Sequence, residues 1–241
     1  MSPLSLFTTG LRPNAWFCCA LLFLLPGGTS ALRAAPQDPE LQLIQKQIAE
    51  KLITIPTPAL DDKRLEIALA HAGVAEWMKV LGADRRWPDI PYAEKKGGAW
   101  PPMIHLARVV EMTKAWVNPA NPLHRDPKLR SSIDAALGWW LETNPKSTNW
   151  FHNEIRGPQY LGQIFILLGD DANPAQRTES LSRIPLSSKL TGQNLGWMTG
   201  NAFMRAVLED NPALARAARD ILVANLAVTP NEGLQADSSF H

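Results

Sequence analysis

The chain has 241 residues, 45% hydrophobic and 20% charged, so it carries enough apolar surface to bury a core and too much to remain disordered. Its 24 Lys and Arg face 23 Asp and Glu, a balance that leaves no electrostatic footprint for nucleic acid. Only two cysteines occur, Cys18 and Cys19, and both lie in an N-terminal apolar run, so a chain that loses this run has no disulfide and no cysteine-held metal.

Residues 1–14 carry one charge, Arg12, and Ala15 to Leu25 form an unbroken apolar stretch. The stretch has the length of the hydrophobic region of a secretory signal and is too short to span a bilayer. Pro26-Gly27-Gly28 breaks it, and Thr29-Ser30-Ala31 offers small residues for cleavage, with Ala34-Ala35 as a second choice. The expectation is a signal peptide over 1–31 and a secreted or periplasmic mature chain over 32–241. Such a chain has no membrane association once the signal is removed. A lipoprotein reading fails because the cysteines sit mid-run behind Trp16-Phe17. Removal of Arg12 takes the charges to 24 − 1 = 23 against 23, which still allows a local basic groove for an acidic polymer.

Beyond the polar lead, apolar residues recur at helical spacing from Leu41 to Ile53, ahead of Pro56 and Pro58. Arg64 to Leu81 reads as a second helix with Trp77 in its core face. Residues 82–100 contain Gly82, Pro88, Pro91, Gly97 and Gly98 and read as irregular. Helical patterns resume at Pro101–Val117, Asp126–Thr143, Gln159–Leu168, Pro174–Ser182, Leu195–Leu208 and Pro212–Ala227. Alternating strand patterns are scarce. The class is all-α, about eight helices, either stacked hairpins forming a toroid or solenoid or a plain helical bundle.

Nine tryptophans serve either as core or as flat faces that stack on sugar rings. Within the helix 126–143 at least one of Trp139 and Trp140 is expected in the core. Trp150-Phe151 differs, reading as a loop rim just before a helix, flanked by Asn149, His152, Asn153 and Glu154. The histidines, at 71, 105, 124, 152 and 241, show no paired metal-ligand spacing. No GxSxG nucleophile and no phosphate loop are present, and no metal or cofactor is expected. Thr191-Gly192-Gln193-Asn194 precedes a helix, where Asn194 suits either an N-cap or an amide donor to a carboxylate. Arg156 suits contact with an acidic polymer, a cap or an ion pair with a neighbouring acid.

Four blocks in order resemble polysaccharide lyase family 8, the hyaluronate, chondroitin and xanthan lyases. They are Trp87-Pro88-Asp89-Ile90-Pro91-Tyr92 with Gly98 to Arg108, Asn149 to Pro158, Thr191-Gly192-Gln193-Asn194, and Glu232 to His241. The resemblance covers about residues 40–241 and implies an incomplete α/α toroid of helical hairpins, usually followed by β-sandwich domains. It implies cleavage of uronic-acid polymers such as hyaluronan, chondroitin or xanthan-like chains by β-elimination. In this likeness Trp150 and Phe151 match the aromatic pair that stacks on sugar, although the second is usually Trp in the family. Asn194 matches the carboxylate-binding, catalytic asparagine. The family's catalytic histidine falls two residues past the position of His241, with a tyrosine about nine residues later. The implied picture is therefore the front portion of a lyase that is inactive without the missing C-terminal part. Two other readings stand beside it: a noncatalytic carbohydrate-binding remnant, and an α/α-barrel glycoside hydrolase, which needs two facing carboxylates where Glu154 has no evident partner.

Overall fold

The computed structural model describes residues 37–55, 57, 73–95, 98–186, 190–226, 228 and 235–237. The expected signal peptide, residues 64–72 of the second expected helix, and most of the 232–241 block lie outside these residues. Among the described residues eight α-helices occur: α1 Pro39–Thr54, α2 Val74–Val80, α3 Met103–Val117, α4 Pro127–Thr143, α5 Gly157–Leu168, α6 Pro174–Ser182, α7 Gly192–Leu208 and α8 Pro212–Asn225. The all-α class follows. None of these helices is long and apolar enough to cross a membrane.

Four helices begin by one device. Asp38, Asp126, Asn173 and Asn211 each stand before a proline and accept hydrogen bonds from first-turn N–H groups. The side-chain oxygen satisfies donors that have no partner in the helix, while proline has no N–H to leave orphaned. α3 starts two residues later than its sequence pattern indicates, because Pro101-Pro102 form the turn that precedes it.

Sequential helices pair as three hairpins, α3 with α4, α5 with α6 and α7 with α8. The first members, α3, α5 and α7, pack side by side, while α4 packs on α6 and α1 lies against α5 and α7. Helices enclosed in this way have no solvent-exposed face: α5 buries all but one of its residues, and α3 buries thirteen of fifteen.

α3, α5 and α7 run parallel. Gly157, which opens α5, stands against Met103, which opens α3, and Arg125 beyond α3 pairs with Asp171 beyond α5. Along α5 and α7, Phe151 meets Trp197, Ile155 meets Asn201 and Gly162 meets Met204, in rising order on both. At Gly162 a methyl group would come within 3.1 Å of the Met204 side chain, so glycine lets the two helices approach. The N-terminal ends of all three parallel helices therefore gather at one end.

The irregular segment 82–100 is fastened to this end by buried tryptophans. The Trp87 indole N–H donates to the Trp77 carbonyl at 3.0 Å, and that of Trp100 to the Glu94 carbonyl at 2.7 Å. Arg108, 1% exposed, lies 5.3 Å from the ring centres of both Trp77 and Trp87 and forks onto Asp89. The hydrogen bonds of that fork, with the guanidinium charge behind them, hold the Asp89 carboxyl below the usual carboxylate range. As the helical pattern requires, Trp77 is core, and of the adjacent pair Trp140 is buried while Trp139 is half-buried.

Candidate functional site

Trp150 and Phe151 do not lie in a loop. They form the first turn of a helix that continues through a π-helical turn, His152–Arg156, into α5. The cause is Asn149, whose side-chain oxygen accepts the Phe151 N–H at 3.1 Å and so starts the helix earlier than the apolar spacing suggests. Asn153 adds a two-point clamp, accepting the Ser147 N–H at 3.0 Å and donating to the Ser147 carbonyl at 2.9 Å. The wide turn closes where the Gly157 N–H reaches back to the His152 carbonyl. A Cβ at residue 157 would sit 3.0 Å from that carbonyl oxygen.

These constraints hold a row of aromatic rings. Trp150, 42% exposed, stands edge-on to Phe151 at 6.4 Å, and Phe151 stands edge-on to Trp197 of α7 at 5.5 Å. Half-buried Arg156 places its guanidinium 5.4 Å from the Phe151 ring centre and 5.9 Å from that of Tyr160, and donates to the Gln159 side chain at 2.7 Å. Among the described residues no carboxylate forms an ion pair with it. Its guanidinium is a cation held under the aromatic rim.

Asn194 is not the N-cap of α7. That position is Thr191, and Gly192 follows with φ +55°, a left-handed conformation that glycine adopts without a Cβ clash. Asn194 is the third helical residue, half-buried, and among the described residues its amide makes no hydrogen bond. Asn194, Trp197 and Asn201 recur at three and four residues and so share one face of α7. Trp197 touches Phe151, and the Asn201 amide donates to the Ile155 carbonyl at 2.9 Å. That face is thus turned to the 151–155 segment, and Asn194 lies on it one turn, about 5 Å, N-terminal to Trp197.

His152 is 1% exposed, and its Nε2 donates to the Gly98 carbonyl at 2.7 Å, joining the turn to the segment before α3. Burial depresses its pKa, and the nearby Arg156 charge acts in the same direction. His105 is enclosed by Trp87, Tyr92, Trp139 and Trp140 at centroid distances of 4.8 to 5.8 Å. Its Nε2 faces the Ala136 carbonyl at 2.8 Å and so carries the proton, leaving Nδ1 to accept from the Tyr92 hydroxyl at 2.8 Å. Among the described residues no group of three His, Cys, Asp or Glu side chains stands close enough to hold a metal.

Two residues at this end were not among those picked from the sequence, Trp197 and Asn201. Their signal was present as spacing, since both follow Asn194 on the same helical face.

A match covers most of the chain: residues 59–241 fit the model of the N-terminal alpha-helical domain of polysaccharide lyase family 8. The chain belongs to this family. The chondroitinase-AC of Pedobacter heparinus is 32% identical over 170 residues, covering 68% of this chain and 24% of the relative. The xanthan lyase of Bacillus sp. strain GL1 is 26% identical over 205 residues, covering 76% and 22%. The family 8 chain therefore spans about a quarter of the length of these relatives. Among solved structures, a chondroitinase AC lyase studied with oligosaccharides superposes with a TM-score of 0.68 at 29% identity, over 82% of this chain and 28% of that one. A Paenibacillus xanthan lyase gives 0.67 at 20% identity, over 86% and 21%, a likeness of fold. The three stacked hairpins accordingly form an incomplete α/α toroid of the family 8 kind.

Proposed function

We propose that this chain is the N-terminal portion of a secreted polysaccharide lyase that cleaves uronic-acid polymers by β-elimination, and that it supplies the sugar-gripping rim. Trp150 and Phe151 stack on the apolar faces of sugar rings. Asn194 donates its amide to the uronate carboxylate, and Arg156 adds positive charge behind Phe151. The observation that carries the reading is the unengaged Asn194 amide, on the face of α7 that is turned toward the Trp150–Phe151 turn.

The chemistry asks for such an arrangement. The proton removed lies alpha to a carboxylate and is weakly acidic, so charge builds on the carboxylate oxygens as it leaves. A donor already fixed at those oxygens stabilises the enolate-like state without reorganisation. The N-terminal ends of three parallel helices add a positive field that favours an anionic chain. In this reading the base and the acid, a histidine and a tyrosine by family resemblance, come from residues beyond 241. Residues 1–31 then act as the signal that takes the protein out of the cell.

Titration with chondroitin, hyaluronan and a neutral glucan tests the grip. The two acidic polymers bind and the glucan does not, Trp150→Ala weakens binding to both by about tenfold, and the difference shrinks with added salt. Equal weak binding to all three polymers overturns the reading. For the catalytic claim, the absorbance of unsaturated uronate rises only with a C-terminally extended chain; turnover by residues 1–241 alone would show that the base and acid lie within them.

A further inference from the structure

The two gripping elements sit on different helices. Trp150 and Phe151 belong to the turn that leads into α5, and Asn194 belongs to α7. For one uronate to be stacked and hydrogen-bonded at once, the axial offset between these helices must be fixed to a fraction of a helical turn.

Most contacts between α5 and α7 do not fix it. Met204 against Gly162 and Trp197 against Phe151 are apolar or edge-on aromatic contacts, which are weakly directional and tolerate sliding. One contact is directional and dry: Asn201, 1% exposed, donates from Nδ2 to the Ile155 carbonyl at 2.9 Å. That carbonyl belongs to the π-helical turn, whose N–H groups reach back five residues rather than four. The bond from the Gly157 N–H to the His152 carbonyl defines that turn. Asn201 donates to this buried carbonyl from the face of α7 that carries Asn194, about two turns further along the helix.

We propose that Asn201 is a positioning residue: its bond to the Ile155 carbonyl sets the register between the Asn194 amide and the Trp150–Phe151 rim, so that both engage the same uronate. A buried polar contact that fixes register is a known use of such groups. The inference rests on the uronate-binding reading above, and it predicts more than a loss of stability. A register error separates the two grips. Stacking still holds a sugar, while the carboxylate no longer meets Asn194.

The test uses the full chain and two probes, a chondroitin tetrasaccharide and the same tetrasaccharide with its carboxyl groups reduced to alcohols. The unsubstituted chain prefers the carboxylated probe by about tenfold, the worth of a charge-assisted hydrogen bond. Asn201→Leu, close in volume but without a donor, brings that preference to about one while leaving affinity for the reduced probe within about twofold. Asn194→Ala gives the same collapse, whereas Trp150→Ala weakens both probes together. Should Asn201→Leu fold poorly, Asn201→Ser is measured in the same way; its short hydroxyl leaves space for water on the carbonyl but does not bridge the helices.

A parallel loss on both probes in the Asn201 variants would mean a merely structural residue and overturns the assignment. So does a carboxylate preference that survives the substitution. Failure of the unsubstituted chain to bind either probe overturns the uronate-binding reading itself, and is told apart from the other outcomes because no variant is needed to see it.

Discussion

His105 is wholly buried in an aromatic box, with its two nitrogens committed to the Tyr92 hydroxyl and the Ala136 carbonyl. Burial is the main cause that takes its pKa down to about 3, with the Arg108 charge also lowering it. An unfolded histidine titrates near ~6.5. The folded pKa is depressed, so below ~6.5 the unfolded chain binds a proton that the native chain refuses. The stability His105 contributes is complete above that pH and is lost as pH falls toward about 3. His152, also depressed by burial, acts in the same sense. The melting temperature is therefore expected to fall between pH ~6.5 and ~4.5, above the range where carboxylates titrate. In His105→Gln, which keeps an N–H for Ala136, the slope in that window is shallower by about one proton. An unchanged slope would place the acid sensitivity elsewhere.

At the scale of elements, the turn carrying Trp150 depends on a single cap. Asn149→Ala removes the acceptor of the Phe151 N–H and is expected to cost about 1 kcal/mol in urea unfolding. Affinity for acidic oligosaccharides falls with it as the turn frays. Gly157→Ala places a methyl group 3.0 Å from the His152 carbonyl oxygen and is expected to lower the urea midpoint, with backbone rather than a pliable side chain as the obstacle. The helices α1, α4, α6 and α8 were legible because each starts at an Asx-Pro pair and alternates apolar and polar faces. Asn149 followed by Trp is a cap as well, but without proline or an apolar repeat behind it the stretch reads as loop. Of the two roles the sequence allows Asn194, a cap or a carboxylate donor, the cap fails for a related reason. The left-handed Gly192 lets α7 begin two residues before Asn194, and a glycine in sequence does not announce its φ. No spacing rule marks the π-helical turn, because its distinguishing feature is a backbone bond that skips one residue.

Across the body formed by residues 37–241, the parallel run of α3, α5 and α7 sets both the place of the rim and its polarity. Helix-terminal fields are screened by salt, so affinity for acidic polymers is expected to fall steadily with ionic strength while affinity for a carboxyl-reduced chain stays level. At another place the surface is apolar. Ile221, Val223, Leu226 and Val228 are 43%, 61%, 57% and 65% exposed, four large apolar side chains within eight residues of sequence. Light scattering is expected to reveal association at raised protein concentration, reduced in the double variant Ile221→Lys, Val223→Lys with no loss of melting temperature. Scattering that the double variant leaves unchanged would exonerate this stretch.

The tryptophans have a spectroscopic consequence. Trp77, Trp87, Trp100, Trp116 and Trp140 are buried, Trp139 and Trp197 are half-buried, and Trp150 is the most exposed indole among the described residues. Emission from the interior is therefore blue-shifted and shielded, and Trp150 supplies much of the red edge that iodide quenches. A sugar stacked on Trp150 would protect that edge and leave the remainder of the spectrum nearly still. The chain thus carries its own optical label for occupancy of the rim, and Trp150→Phe is the variant that erases it.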